Sequence, residues 1–212
     1  MLKMAVSADG KSGLAGRRPA AITGERTRAR VHLMRARSDA VLTGIGTALA
    51  DDPLLTCRLP GMPSPVRVVL DAALRLPLAS KLVASARQTP LWVMTAVAAP
   101  REREQALISQ GAEVVRVAAT DGRLDIAAVL KVLAGRGITR VMVEAGPILT
   151  SAFLRADLVD EAALFRSPNP LGADGLDALD GLPLSALTRS PRLQPVSSEP
   201  VGADTVEIFE RA

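Results

Sequence analysis

Apolar residues along the chain fall into short runs, separated by stretches with helical spacing. Leu2 to Val6 reads as a strand that stops at the turn dipeptide Asp9-Gly10. Thr23 is the expected N-cap of a helix from Gly24 to Arg37, with Val31, Met34 and Arg35 spaced along it. Ala40 to Thr43 is a short strand that runs into GIGTALADDP, which its small and polar residues mark as a loop. Val66 to Leu70 and Leu91 to Thr95 are continuous apolar strands, followed by a helix from Arg101 to Gln110 closed by Gly111. Glu113 to Val117 is a strand, Asp125 to Ala134 a helix capped near Gly135, and Arg140 to Val143 a strand. A helix from Pro147 to Ala156 has proline in its favoured first turn. Glu161 to Phe165 and Thr205 to Phe209 are late strands, and Leu171 to Leu193 is loop-like.

Strand and helix in alternation predict an α/β fold. Its central, mostly parallel sheet has helices on both faces, and the last two strands form an antiparallel C-terminal edge. Ligands of such sheets bind beyond the carboxyl ends of the strands. With 212 residues, 48% of them apolar and 23% charged, residues 1–212 are expected to form one domain with an ample core.

Composition removes several classes of function. The longest apolar run, Leu91 to Ala99, is strand-length, and the N-terminus reaches Asp9 too soon for a signal-peptide core. One cysteine, Cys57, forms no internal disulfide, and one Cys with one His excludes structural zinc. The cytoplasm is the expected compartment, with no membrane partner and no metal. Net charge is +4, but the excess is uneven: seven arginines lie between Arg17 and Arg37, against Glu25 alone. They suit either an anionic partner or a solvated helix face. Nucleic acid is not expected, because Trp92, Phe153, Phe165 and Phe209, the only aromatics, all sit in apolar surroundings and leave no ring for base stacking.

Two segments are candidates for chemistry. In VMVEAGPIL, residues 141–149, a strand ends at Glu144, Ala145 and Gly146, and a helix starts at Pro147. Free amides and the positive end of the helix dipole suit a pyrophosphate there, although a plain strand-to-helix turn has the same sequence. Glu144 beside it is suited to accept hydrogen bonds from a ligand. In GIGTALADDPLLTCR, residues 44–58, Thr47, Asp51 and Arg58 are available to a ligand, while Asp52 reads as a turn. Leu49 stands where the dinucleotide fingerprint wants a small residue, so that motif is rejected. His32 reads as a structural, half-buried histidine and Cys57 as packing. On these residues alone, the domain binds an anionic, nucleotide-like ligand.

The segments SADGK (7–11), ITG (22–24), HLMRARSDAVLTGIGTALADDPLLTCR (32–58), RVVLD (67–71) and VEAGPILTSAFLRADLVDEAALF (143–165) closely resemble one family over nearly the whole chain. It is the reductase domain of the bifunctional riboflavin-biosynthesis deaminase–reductase. The resemblance implies a dihydrofolate-reductase-like fold, a homodimer and NADPH as cofactor. It also implies reduction of the ribosyl chain of 5-amino-6-(5-phosphoribosylamino)uracil to a ribityl chain. Carried over residue by residue, it assigns cofactor contacts to Ala5, Thr47, Asp51, Gly146, Pro147, Ile148 and Leu149. Substrate contacts fall on Lys11, Thr23, Arg35, Leu55, Arg58 and Glu144. Lys11 or Asp51 would supply the proton for the opening sugar oxygen.

The chain departs from the family at Pro19 and Ala21, where a serine and a tryptophan are usual. It departs again at Ala72, where a serine commonly lies near the cofactor's 2′-phosphate and Arg75 offers a substitute. The zinc-binding deaminase half is absent from this sequence, and an opening directly on the first strand suggests a piece of a longer protein. The alternative reading is a related reductase of the same fold acting on the 2,5-diamino pyrimidinone or another substrate. A nucleotide-binding module without turnover is a further one.

Overall fold

The computed structural model describes residues 1–14 and 21–212. In chain order the elements are β1 (Leu2–Val6), β2 (Lys11–Leu14), α1 (Glu25–Ala36), β3 (Ala40–Gly44), α2 (Ile45–Asp51), β4 (Val66–Leu70) and α3 (Lys81–Ala84). There follow β5 (Leu91–Ala96), α4 (Arg101–Ser109), β6 (Glu113–Val117), β7 (Ala119–Thr120), β8 (Arg123–Leu124), α5 (Ile126–Gly135) and β9 (Val141–Glu144). The chain ends with α6 (Pro147–Arg155), β10 (Glu161–Arg166), β11 (Gly175–Asp177), α7 (Ser185–Thr188), β12 (Leu193–Val201) and β13 (Asp204–Arg211). Two compact units result, one of Met1–Val31 with Val143–Ala212 and one of His32–Met142.

The first unit is a sheet in the order β12-β13-β10-β1-β9. β1 lies parallel to β10 and to the end of β9, which sets Lys3 opposite Glu144. β10 pairs antiparallel with β13, as expected for the last two apolar strands. β12 was not expected: a nine-residue strand with Pro195 and Pro200 in it, it pairs antiparallel with β13 and forms the outer edge. Proline is tolerated on an edge strand because an N–H facing outward has no ladder partner to lose. Leu2, Met4, Val6, Phe153, Leu164, Phe165, Val206 and Phe209 are buried, each contributing about 1.5–3 kcal/mol of transfer free energy.

The second unit is a parallel sheet, β3-β4-β5-β6, in register from Ala40 opposite Val66 outward. Its strands are apolar on both faces, with Val41, Leu42, Val68, Val69, Val93 and Met94 fully buried, and Leu107, Val129 and Leu133 come from the intervening helices. Asp125 caps α5 by accepting from the Ala128 N–H at 3.1 Å. Gly111, at φ +98, ends α4 in the left-handed conformation that glycine adopts freely, and a side chain there would meet Arg87 Cγ at 2.8 Å.

Two expectations are corrected. GIGTALADDP is not a loop: Ile45–Asp51 is a helix, because Ala48, Leu49 and Ala50 favour helix and Gly44 tolerates the extended cap position. The helix stops at Asp52, which takes φ +39 and accepts from the Lys81 N–H at 2.8 Å. Nor is Thr23 the cap of α1. Oδ2 of Asp204, in β13, accepts from the Gly24 N–H at 2.7 Å and the Thr27 hydroxyl at 2.6 Å. The 171–193 segment also carries β11 and α7 within its loops.

Candidate functional site

In the first unit the turn from β9 into α6 brings together Glu144, Gly146, Pro147, Ile148 and Leu149. Gly146 is the N-cap residue at φ −76, ψ 178, with no side chain of its own to cap the helix, and proline stands in the first turn. Thr150 ties the turn down, donating from its hydroxyl to the Ala145 carbonyl at 3.2 Å and from its N–H to Gly146 O at 3.1 Å. The first turn of α6 itself carries no acidic residue, and Ile148 is 64% exposed on it. These residues fit the diphosphate of a dinucleotide.

Glu144 has a partner that the sequence did not reveal. Parallel pairing of β1 with β9 places Lys3 beside it, Nζ to Oε1 at 3.5 Å, with the side chains only 15% and 18% exposed. Ala5, two residues along β1, is half-buried opposite Phe165.

Lys11 lies on β2, and its Nζ donates to Asp177 of β11 at 2.7 Å. That hydrogen bond raises the Lys11 pKa above its ordinary value, against some desolvation, so the ammonium is held charged. β11 approaches so closely that a side chain on Gly175 would meet Lys11 Cγ at 2.5 Å. Thr23 is half-buried, and its carbonyl accepts from Arg28. Ala21 is exposed, whereas Arg17, Arg18 and Pro19 lie outside the described residues. The arginines early in α1 serve the protein itself: Arg30 pairs with Glu199 at 2.5 Å, and the Arg26 stem lies against Gly202.

In the second unit, Thr47 and Asp51 fall four residues apart on α2, which puts them on one helix face. The segment after α2 is held by its carbonyls. Thr56 O accepts from Arg35 Nη1 at 3.0 Å and lies 3.1 Å from His32 Nδ1, so Arg35 is engaged in part with backbone. Leu55, between, is 2% exposed and takes φ +54. Arg58 is exposed. Cys57 is a free, half-buried thiol, and its N–H donates to Ser64 Oγ at 3.1 Å.

At the end of β4, Ala72 is half-buried, and its carbonyl accepts from the Thr95 hydroxyl at 3.1 Å; Arg75 is exposed. Asp71 just before it is fully buried. One oxygen accepts from the Leu76 N–H at 2.8 Å, and Oδ1 has no partner among the described residues. Sequence reasoning missed Lys3, Asp71 and Arg67. The only signal was a charge placed inside an otherwise apolar strand or at its tip.

No helix among the described residues is long and apolar enough to cross a membrane. The architecture is that of a dihydrofolate-reductase-like α/β protein. Dihydrofolate reductase from Enterococcus faecalis superposes on 99% of this chain and 94% of its own with a TM-score of 0.50 at 13% identity, a likeness of fold alone. The chain belongs to the RibD C-terminal domain family, whose model matches residues 1–207. It is 36% identical to 2,5-diamino-6-ribosylamino-4(3H)-pyrimidinone 5′-phosphate reductase of Methanothermobacter thermautotrophicus, over 97% of this chain and 94% of that protein. Acinetobacter baumannii RibD superposes on all of the chain and 57% of its own, with a TM-score of 0.83 and 28% identity. The chain spans about half the length of the curated RibD relatives it matches.

Proposed function

We propose that this chain is an NADPH-dependent reductase of riboflavin biosynthesis. It opens and reduces the ribosyl chain of 5-amino-6-(5-phosphoribosylamino)uracil to the ribityl product. The observation that carries the reading is the β9–α6 turn, where a carboxylate paired with Lys3 stands two residues before Gly146, the glycine N-cap of a helix that opens on Pro147 and has no acid in its first turn. Membership of the family and the match to the archaeal reductase over nearly its full length support it.

The cofactor, when bound, supplies a hydride. The amides of Gly146, Pro147's neighbour Ile148 and Leu149 would take its diphosphate, proline itself having no N–H to offer. Ala5, Thr47, Asp51 and Ala72 would complete its contacts. Glu144, paired with Lys3, accepts hydrogen bonds from the N–H edge of the pyrimidine, with Thr23 and Leu55 as further substrate contacts. Arg35 and Arg58 hold the phosphate through charge-assisted hydrogen bonds. Opening of the ribosylamine places a proton on the ring oxygen. The raised pKa of Lys11 makes it a reluctant donor and suits it to act as a fixed positive charge. Asp51 would then hold the water that delivers the proton. The reading includes a homodimer acting in the cytoplasm, supplied with substrate by a deaminase on the same or another chain.

The 2,5-diamino pyrimidinone is the second reading, favoured by the name and coverage of the archaeal relative. Following NADPH oxidation by absorbance with each compound tests both. The expected result is turnover of the phosphoribosylamino-uracil, with slower or no turnover of the diamino compound. The reverse preference selects the second reading, and no NADPH oxidation with either sinks the reductase assignment.

A further inference from the structure

Arg67 sits inside β4 between Val66 and Val68, on a strand whose other residues are apolar, and it is fully buried. No carboxylate among the described residues pairs with it. Nη1 donates to Ser85 Oγ at 2.7 Å and to the Leu54 carbonyl at 3.3 Å. Nη2 donates to the Ser85 carbonyl at 3.2 Å and to that of Thr89, while Nε has no partner among the described residues. Burial drives its pKa down to about 10. A desolvated cation with only neutral acceptors and an idle donor is a poor way to stabilise a core, which valine would fill without that cost.

What the guanidinium does is fix backbone. It holds the carbonyl of Leu54, the peptide that enters Leu55, and Leu55 is a non-glycine residue at φ +54. On the far side of Leu55, the Thr56 carbonyl is held by Arg35 and His32 of α1. The peptide that enters a left-handed leucine is therefore gripped from β4, and the next carbonyl but one, that of Thr56, from α1. We propose that Arg67 is a positioning residue for the substrate-binding segment Leu55–Arg58, holding Leu55 in its left-handed conformation through the Leu54 carbonyl. This rests on the reductase reading above in giving that segment its substrate. Lysine cannot take over the role, because one ammonium lacks the planar fork that spans the Leu54, Ser85 and Thr89 acceptors.

The test uses Arg67→Lys and Ser85→Ala, the second of which loosens the guanidinium without removing it. Amide exchange over residues 54–58 is read by mass spectrometry, beside KM for the pyrimidine and Kd for NADPH. For Arg67→Lys, exchange at 54–58 is expected to rise about tenfold while β3 and β5 keep their protection, as a local opening requires. KM for the pyrimidine should rise about tenfold with NADPH affinity within about twofold, the split that marks lost substrate positioning. Ser85→Ala is expected to move the same readings in the same direction by less. If Arg67→Lys does not fold, Ser85→Ala decides by the same criteria. Wild-type exchange at 54–58, or exchange that rises evenly through β3, β4 and β5, overturns the proposal. The exchange readout needs no substrate, so the positioning role and the reductase assignment fail separately.

Discussion

Replacing Asp204 should unfasten α1 at its start. The carboxylate is 3% exposed and accepts from both the Gly24 N–H and the Thr27 hydroxyl through one oxygen, and Thr27 is itself fully buried. Hydrogen bonds to a charged group contribute about 1.5–3 kcal/mol each, and loss of a helix cap costs about 0.5–2 kcal/mol. These contributions overlap, because Gly24 regains water when the acceptor goes, while buried Thr27 does not. Asp204→Ala is therefore expected to cost about 2–4 kcal/mol, or about 5–15 °C in Tm for a chain of this size. Asp204→Asn keeps an acceptor oxygen but not the charge and should cost about half as much. Urea unfolding with an unchanged m-value measures both. A double-mutant cycle with Thr27→Val then isolates the shared bond, since the pair should cost less than the two single changes together. An Asp204→Ala variant within about 0.5 kcal/mol of the parent, or a strictly additive cycle, would refute the cap.

Three further outcomes are expected. Ile148→Asp, in the first turn of α6, should stabilise the fold by about 0.3–1 kcal/mol through the helix dipole while weakening NADPH binding at least about tenfold by charge repulsion; thermal melts and fluorescence titration read the two signs, and tighter NADPH binding defeats the assignment of that turn. Lys3→Met leaves Glu144 without its cation and should raise KM for the pyrimidine about tenfold with the Kd for NADPH unchanged, as steady-state kinetics and titration would show. Asp9 accepts from Ser7, Leu171 and Gly172, chiefly Ser7, which lowers its pKa from 3.8 to about 2. Because the folded value is the depressed one, its contribution is present above about pH 4 and fades as pH falls towards 2. Asp9→Asn should therefore flatten the fall in stability across that window in melts at stepped pH, and an unchanged slope would count against it.

The strands were legible because a sheet covered by helices demands predominantly apolar runs, which LWVMT, EAALF and, but for Arg67, VRVVL supply. β2 and β12 escaped the same reasoning. KSGL has almost no apolar content, and LQPVSSEPV carries two prolines and is exposed along most of its length. α2 hid behind Gly44 and Gly46, although Ala48, Leu49 and Ala50 already favoured helix. The carboxylate that fastens the start of α1 comes from a residue 180 positions from Gly24, and no local signal encodes that. The candidate site divides in the same way. The Glu144–Gly146 turn was readable as a strand tip before a helix, whereas the Lys3 partner depends on the register of β1 against β9. Arg67 was passed over inside a run read as continuously apolar, and only its burial in the sheet gives it meaning.

The prolines of β12 reach beyond its pairing with β13. An outermost strand exposes a row of backbone donors and acceptors that any other extended chain can template upon. Pro195 and Pro200 interrupt that row twice within nine residues. The sheet therefore ends in a chemically frustrated rim, one that discourages fibrous stacking at the high local concentrations of a newly made protein.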